Sequence, residues 1–341
     1  MDSVLETECL QKGDTKSDMN VNDYGLVLAG GGGKGAYEIG VMKYLQELDI
    51  SITAVSGTSV GALNAALYAG CDFETSLKTW LCINSKTILM LRTKKEARKY
   101  IMGQMRKLSR PVIVQLTKNL LEVSKMLNIA GIGVGVGWGG LLIGGGPIGV
   151  ISMGVLVNVL LNYYCGKWNG FFSREGLLQI INGVDIASNI KRSSCRCYST
   201  CYDFKKREPV SFCLNDVDEK IIPDILLASS AIPVAYDSVE IEGRFYCDGG
   251  AFNGDNVPIK PLYDIGYKNL IVVYLEHNPS EKAEEYKDTN ILQVIPSKDL
   301  GNLFTGTLNF EQETIRELIG LGYFDAKEQL GEKIMLMSDK L

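Results

Sequence analysis

The sequence has only one histidine, His277, and no excess of positive charge, with 35 lysines and arginines against 40 aspartates and glutamates. A general nucleic-acid-binding protein normally carries a clear basic excess, so the net charge of −5 excludes that class of partner. The nine cysteines have no obvious paired spacing, which is typical of free thiols in a protein that is not secreted. Apolar residues form 46% of the 341 residues, enough for one large domain or two modest ones.

The first 23 residues lack the positive start and the apolar run of a signal peptide. Their charged residues are mostly acidic, so we interpret 1–23 as a polar tail. We therefore predict a cytoplasmic protein that no classical signal peptide exports.

Two consecutive segments have the pattern of a strand, a glycine-containing turn and a helix. In the first, an apolar run at 24–29 precedes the glycine-rich stretch 30–35, and 37–49 has helical periodicity. In the second, a β-branched run at 51–56 precedes a tight turn, and 62–69 is rich in helix formers. Successive units of this kind predict an α/β fold with a mainly parallel sheet covered by helices.

Later apolar and alternating runs predict further strands of the same sheet. These runs lie at 195–202, 239–247 and 270–275. We expect 24–278 to form one α/β domain, and 279–341, with helical periodicity at 310–322, to be a helical extension packed on it.

The segment 86–166 interrupts this pattern with two unusual halves. Its basic half, 86–125, has eleven lysines and arginines against two glutamates. Its apolar half, 126–166, has no charged residue and contains twelve glycines. Basic residues bind anionic lipid headgroups, and the apolar run is long enough to enter a bilayer. We predict that 86–166 is an insertion that contacts a membrane surface, so that the protein is peripherally or partly membrane-associated.

The glycines of the apolar half bear on how it would meet the membrane. Gly131, Gly135 and Gly139 are spaced by four, which permits close contact between helices in lipid. The break at 144–147 favours a re-entrant hairpin or two short interfacial helices over one spanning helix. The alternative is a lid over an apolar cleft, with the charge run on a solvated helix face.

A G-x-S-x-G sequence, 57–61, lies between a predicted strand and a predicted helix. In that context the motif forms a nucleophile elbow, where Ser59 sits on a strained turn flanked by Gly57 and Gly61. The Ser59 Oγ atom would lie at a helix amino terminus, where unpaired N–H groups favour developing negative charge. The alternative is a glycine-bounded turn with an incidental serine.

The stretch 30–35 fits G-x-G-x-x-G, a pattern shared by several kinds of loop. A dinucleotide loop needs an acidic residue near the end of the second strand, where Val55 and Ser56 lie instead. A P-loop needs Ser or Thr after Gly-Lys, where Gly35 stands. Two interpretations are left, a loop that is glycine-rich only for packing and an oxyanion hole of N–H groups. The candidate oxyanion residues are Gly30, Gly31, Gly32, Gly33, Lys34 and Gly35.

A serine nucleophile needs a base, and two residues qualify. Asp248 ends a predicted strand and is followed by Gly249 and Gly250, so it emerges from the sheet into a turn. The order Ser59, Asp248, His277 also satisfies a hydrolase triad. An Asp-Gly turn without chemistry and a loop histidine are the plain alternatives.

The sequence resembles the patatin-like phospholipases, including the bacterial type, in the order and context of three motifs. The matching segments are 28–36, 57–66, 228–233, 248–250 and 256–258. The family motifs are a G-G-G-x-[RK]-G oxyanion loop, G-x-S-x-G and D-G-[AG]. Lys34 stands where many members have Arg, and Gly250 where many have Ala, and both changes are mild.

The resemblance implies a three-layer α/β/α fold and a serine-dependent acyl hydrolase that needs no metal or cofactor. It implies a dyad in which Ser59 is the nucleophile and Asp248 the base, with His277 dispensable. The implied reaction is hydrolysis of carboxylic ester bonds in lipids or phospholipids with release of fatty acids.

Two other functions stay open at this point. One is an esterase that uses a triad of Ser59, Asp248 and His277. The other is a membrane-inserting effector in which 86–166 is the active element and hydrolysis is secondary. The sequence predicts no particular protein partner.

Three cysteines close together in the chain raise the question of a metal site. They are Cys195, Cys197 and Cys201. Their spacing does not match a zinc knuckle and no histidine is near, so we predict buried free thiols.

Overall fold

The computed structural model of the protein describes residues 23–48, 50–90, 134–137, 140–143, 170, 172–233, 235–279 and 285–338. The strands are β1 (Tyr24–Leu28), β2 (Ile52–Thr58), β3 (Val134–Gly137), β4 (Gly140–Ile143), β5 (Arg196–Asp203), β6 (Glu208–Cys213), β7 (Val239–Ile241), β8 (Arg244–Asp248), β9 (Asn269–Val273) and β10 (Asn290–Val294). The α-helices are α1 (Ala36–Glu47), α2 (Val60–Gly70), α3 (Phe73–Cys82), α4 (Ser85–Ile88), α5 (Glu175–Gly183), α6 (Ile186–Arg192), α7 (Ile222–Ser229), α8 (Lys260–Asp264) and α9 (Gln312–Ser338). Single turns of 3₁₀ or π-helix lie at Gly32–Gly35, Glu219–Ile221 and Leu303–Thr307.

Eight of the described strands form one mixed sheet in the order β10, β9, β1, β2, β5, β8, β7, with β6 also paired to β5. β10, β9, β1, β2 and β5 run parallel to one another. β6, β7 and β8 join this parallel half by antiparallel pairing. With helices packed against the sheet, the predicted three-layer α/β/α fold with a mainly parallel sheet is confirmed.

The central strands are apolar along their length because helices cover the sheet, as a parallel sheet requires. The fully buried residues of β1 and β9 include Leu26, Val27, Leu28, Leu270, Ile271, Val272 and Val273. In the β1–β2 register, Leu28 pairs with Gly57. The loop after β1 and the turn after β2 therefore emerge side by side at the carboxyl edge of the sheet.

α9 packs along α1, and two glycines permit the close contact. A Cβ atom on Gly40 would lie 1.9 Å from the carbonyl oxygen of Ile319, and one on Gly322 would lie 1.9 Å from that of Tyr37. The buried Tyr37 hydroxyl donates to Asp325 Oδ2 at 2.9 Å. The predicted end of this helix at residue 322 is wrong, because Gly322 serves the crossing of two helices rather than a helix terminus.

The carboxyl-terminal extension 279–341 is not only helical, as the sequence predicts, because β10 is part of it. β10 pairs in parallel with β9 at the edge of the sheet. Its alternate residues Leu292 and Val294 are buried, which is the period-two pattern of a strand covered on one face. A run of five residues is too short for that pattern to stand out in the sequence.

Two short strands, β3 and β4, lie inside the predicted insertion 86–166 and pair antiparallel. Gly135 belongs to β3, so the prediction of helix contacts through glycines spaced by four is wrong at this position. The residues beside it, Val134 and Val136, alternate with glycine at the period of a strand.

Most of the predicted insertion and the tail 1–22 lie outside the described residues, and so do the membrane contacts predicted for 86–166. The residues described within 1–90, 174–232 and 238–341 form one compact unit, and those within 91–173 and 233–237 belong to a second. No helix in the described ranges combines the length and the hydropathy needed to cross a bilayer.

Replacing Gly322 by alanine should lower the free energy of unfolding by about 1–3 kcal/mol, because the new Cβ would collide with the main chain of α1. Gly320→Ala is the matched control, since nothing lies within 4 Å of a Cβ there. We expect Gly320→Ala to raise the free energy of unfolding by about 0.5–1 kcal/mol in urea titrations, because alanine favours a helix. Equal effects of the two substitutions would contradict the helix crossing at Gly322.

Candidate active site

Ser59 lies at the turn between β2 and α2, in a conformation that non-glycine residues rarely adopt. Its φ is 56° and its ψ is −124°. A Cβ on Gly57 would lie 2.1 Å from the Gly61 carbonyl oxygen, and one on Gly61 would lie 2.3 Å from that of Leu28. Both glycines are therefore required by main-chain contacts, as expected for a nucleophile elbow.

The strained turn is held by a serine that the sequence did not single out as a site residue. The Ser59 N–H donates to the Ser229 hydroxyl at 2.9 Å, and that hydroxyl donates to the Thr200 carbonyl at 2.7 Å. Ser229 is fully buried at the end of α7. It thus links the candidate nucleophile to the neighbouring strand β5. The only signal in the sequence is the position of Ser229 within the family-like segment 228–233.

Asp248 reaches Ser59 from the antiparallel half of the sheet. It is the last residue of β8 and pairs with Cys201 of β5, while Thr58, just before Ser59, pairs with Thr200 of the same strand. The two candidate residues are both buried, at 5% exposure for Ser59 and 6% for Asp248. Neighbouring register positions on β5 therefore bring together a serine and an aspartate that are far apart in the chain.

The Asp248 carboxylate is a stronger base than an exposed aspartate. Burial raises the pKa of Asp248 to about 6, although hydrogen bonding to the Ser59 side chain and to the Gly250 N–H opposes this shift. Oδ1 accepts from the Gly250 N–H at 2.9 Å. Oδ2 is buried, and no group in the described part of the chain meets ordinary hydrogen-bond geometry with it. One carboxylate oxygen is thus anchored, and the other is available for proton transfer.

The glycine-rich loop 30–35 lies against Ser59. A Cβ on Gly30 would lie 3.2 Å from the Ser59 Cβ and 2.3 Å from Asn256 Oδ1. Gly32 has a φ of +58°, and the loop closes as a 3₁₀ turn over Gly32–Gly35. Within the described ranges, no hydrogen bond uses the N–H groups of Gly31, Gly32 or Gly33. These donors lie in the loop that the sequence predicts as an oxyanion hole.

Asn256 joins the glycine loop to the turn that carries Asp248. Its carbonyl accepts from the Gly30 N–H at 3.0 Å, and its Nδ2 donates to the Gly30 carbonyl at 3.2 Å. Its Oδ1 also lies where a Cβ on Gly250 would be, at 2.6 Å. The sequence contains Asn256 in the family-like segment 256–258, but residue type and spacing alone do not assign it this bridging position.

Two more of the candidate glycine and lysine positions have packing partners. A Cβ on Gly249 would lie 2.3 Å from the Thr200 carbonyl oxygen, so this glycine permits the turn to rest on β5. Lys34 contacts the π turn Leu303–Thr307, where a Cβ on Gly306 would lie 2.7 Å from Lys34 Cε. The structure thus places Lys34 at the side of the loop that faces this turn.

His277 is not part of the cluster around Ser59. It is exposed on the loop that follows β9, and its Nδ1 lies 2.7 Å from the Pro296 carbonyl oxygen. β1 separates β9 from β2, which leads to Ser59. The arrangement needed for a Ser59–Asp248–His277 triad is therefore not present, because the histidine ring bonds a main-chain carbonyl instead of the Asp248 carboxylate.

The cysteines of β5 are free thiols. Cys197 and Cys201 are buried, as predicted, whereas Cys195 is half-buried. Burial raises the pKa of Cys195 to about 12, so this thiol is not activated as a nucleophile. The described ranges contain no cluster of three or more histidine, cysteine or acidic residues suited to a metal ion.

Sequence comparison finds short but strong local matches. Lysophospholipase nte1 of Aspergillus terreus is 56% identical over 45 residues, which is 13% of this chain and 3% of that protein. Neuropathy target esterase sws of Drosophila persimilis is 53% identical over 47 residues, which is 14% of this chain and 3% of that protein. The chain thus matches only a small fraction of the length of these relatives.

Structure comparison finds two bacterial-effector structures with low sequence identity. The crystal structure of VipD from Legionella pneumophila has a TM-score of 0.45 at 16% identity, covering 91% of this chain and 67% of that one. The type III effector protein ExoU has a TM-score of 0.38 at 17% identity, covering 91% of this chain and 53% of that one.

A family model spans most of the α/β unit. The model described as patatin-like phospholipase matches residues 26–263, which is more than half of the chain. The matched region contains the glycine loop 30–35, Ser59 and Asp248. The chain therefore belongs to the patatin-like phospholipase family.

Proposed function

We propose that the protein is a serine-dependent lipid acyl hydrolase that cleaves carboxylic ester bonds of lipids or phospholipids and releases fatty acids. The observation that carries this proposal is the buried pair of Ser59 and Asp248 on neighbouring register positions of β5. The strained backbone of the serine and the raised pKa of the aspartate are what an activated nucleophile and its base require.

In the proposed first half-reaction, Asp248 Oδ2 takes the hydroxyl proton as Ser59 Oγ attacks the ester carbonyl carbon. The tetrahedral intermediate then collapses, the C–O bond to the alcohol or lysolipid breaks, and Asp248 returns the proton to the leaving oxygen. An aspartate with its ordinary pKa near 3.8 would hold this proton too weakly, whereas a pKa of about 6 makes the transfer less uphill.

In the second half-reaction, water attacks the acyl-serine ester and Asp248 accepts its proton. The tetrahedral intermediate releases the fatty acid, and the proton passes from Asp248 to Ser59 Oγ. The same carboxylate thus serves both steps without histidine, as microscopic symmetry of the two half-reactions allows.

The oxyanion of each intermediate is proposed to bind the N–H groups of Gly31, Gly32 and Gly33. These donors are unused among the described residues, and the Gly30 position next to Ser59 brings the loop to the reacting carbon. Lys34 adds positive charge in the same loop, although its contact with Leu303–Thr307 makes positioning of the loop its more direct role.

The lipid nature of the substrate is proposed from family membership and from the relatives, which include a lysophospholipase and esterases. A serine, an aspartate and a glycine loop would hydrolyse any accessible carboxylic ester. Peripheral association of the protein with a membrane through 86–166 is likewise a prediction from the charge and hydropathy of that segment.

The dyad is tested by fatty-acid release from anionic phospholipid vesicles without calcium. Ser59→Ala and Asp248→Asn should each lose at least about 10³-fold of the kcat, because each removes a group that acts in the transition state. His277→Ala should stay within about twofold of the parent, because its ring contacts only the Pro296 carbonyl. A well-folded but inactive His277→Ala protein would refute the dyad in favour of a triad.

The pH profile gives a second test of Asp248 as the base. Only the carboxylate form can accept the serine proton, so kcat/KM should rise as the pH passes about 6 and then level off. The measurement is kcat/KM on a fixed ester from pH 4 to 8, limited to conditions in which the protein stays folded. A profile that is flat through this range would contradict the assignment.

Burial of Asp248 should also cost stability at neutral pH. The folded protein holds this proton to about pH 6, whereas the unfolded chain releases it near 3.8, so stability falls as the pH rises between these values. Asp248→Asn should therefore gain about 3 kcal/mol relative to the parent between pH 4 and pH 8. Urea titrations at several pH values measure this difference, and a difference that does not change with pH would contradict it.

A further inference from the structure

The hairpin of β5 and β6 extends beyond the candidate active site. Thr200 of β5 pairs with Thr58, the residue before Ser59, and β5 continues for three more residues to Asp203. The turn 204–207 then leads into β6. Because β2 and β5 are parallel, this turn projects from the same edge of the sheet at which Ser59 lies.

An aromatic cluster connects the hairpin to the Asp248 turn. Phe252 stacks on Tyr202 and Phe204 with ring centroids 5.2 Å and 6.0 Å away. Its loop begins directly at Asp248, whose carbonyl accepts from the Ala251 N–H at 3.0 Å. The cluster is therefore attached to the turn that carries the proposed base.

Phe252 has two features that reduce stability without a binding partner. Its side chain is 45% exposed, and its φ is +56° in the left-handed region. A large apolar residue gains nothing in that conformation, which asparagine or glycine would adopt more readily. An exposed and strained phenylalanine beside an active site indicates that its ring contacts something outside the folded chain.

The turn of the hairpin is basic. Lys205, Lys206 and Arg207 are consecutive and exposed. The main-chain N–H groups of both lysines donate to Asp203 Oδ1, so the turn keeps its shape while the lysine side chains stand outward. The nearby acidic charge is small, because Asp203 is buried and paired with Arg244 at 3.6 Å, and Glu208 follows the turn.

We propose that Phe204, Lys205, Lys206, Arg207 and Phe252 form a docking face for the surface of an anionic phospholipid bilayer. The proposal rests on the proposed function, since it seats Ser59 and Asp248 at the lipid that they would hydrolyse. Consecutive basic side chains bind anionic headgroups, and aromatic rings with a polar surround enter the interfacial layer. A folded protein partner would be the other occupant, but the cationic turn around a single protruding ring matches the chemistry of a lipid interface better.

The position of the docking face explains how a buried site could obtain a substrate from a bilayer. Ser59 and Asp248 are about 5% exposed, so a lipid must leave the plane of the membrane to reach them. A face that begins three residues beyond Thr200 holds the opening close to the headgroups without placing the whole edge of the sheet in the lipid. The long lysine and arginine stems allow the charges to stay in the headgroup layer.

The test measures vesicle binding by the full chain carrying Ser59→Ala, so that hydrolysis does not alter the lipid. Binding is followed by sedimentation with vesicles of phosphatidylcholine and phosphatidylglycerol, and with vesicles of phosphatidylcholine alone. Lys205→Glu with Lys206→Glu should weaken binding to the anionic vesicles by about 30-fold. Added salt should weaken binding of the unsubstituted docking face more than that of this variant.

The matched control is Lys220→Glu with Lys268→Glu, which changes the net charge equally. Both lysines are exposed, and both lie at the other edge of the sheet, since Lys268 precedes β9 and Lys220 precedes α7, which ends at Ser229. We expect the control to change binding by less than about twofold, because the exposed charges are screened over that distance. An equal loss in both double variants would overturn the docking face in favour of a general charge effect.

Phe252→Asn tests the apolar part of the docking face. Asparagine accepts the left-handed conformation, so folding should be preserved, while binding to anionic vesicles should fall by about tenfold. Hydrogen exchange across 204–207 and 250–254 should slow when vesicles are added. Unchanged binding in both docking variants, or no slowing in these segments, would overturn the proposal. Because no arm needs turnover, this result is independent of whether the parent releases fatty acids.

Discussion

The main constraint on this structure is the close main-chain contact at the turn after β2. Gly57 and Gly61 have no room for a Cβ, and Gly30 meets both Ser59 and Asn256 for the same reason. The contact forces Ser59 into a positive φ, and the Ser229 hydroxyl holds it there by accepting its N–H. The position of the serine oxygen therefore depends on three loops at once. A substitution in any of them would move it without touching the oxygen itself.

Burial of Asp248 links the proposed chemistry to the stability of the fold. The carboxylate has one anchored oxygen and one oxygen without a partner among the described residues, which a purely structural aspartate would avoid. Desolvation raises its pKa and makes it a usable base, and the same desolvation destabilises the folded state at neutral pH. The surrounding apolar sheet, not a second catalytic side chain, is thus what activates the pair.

Prediction from sequence succeeds where a local pattern carries its own physical reason. The apolar run of β1 and the glycines around Ser59 are of this kind, since burial and backbone contact act within a few residues. Ser229 and Asn256 are not, because their roles arise from hydrogen bonds to residues about 170 and 226 positions away in the chain. The continuation of α9 beyond Gly322 is missed for a related reason, because a glycine that serves a helix crossing looks like a helix end in the sequence.

The two halves of the sheet contribute different parts of the site, and the way they join accounts for the docking face. The parallel half delivers Ser59 and the glycine loop at the carboxyl ends of its strands. An antiparallel strand ends at the opposite edge unless it descends from beyond the parallel strands, and β8 does this by pairing with Cys201 and with the residues of β5 past Thr200. Delivery of Asp248 therefore requires β5 to extend past the edge, and that extension carries the turn 204–207 outward. In this fold, the strand that brings the proposed base to Ser59 also creates the projection that we propose to meet the membrane.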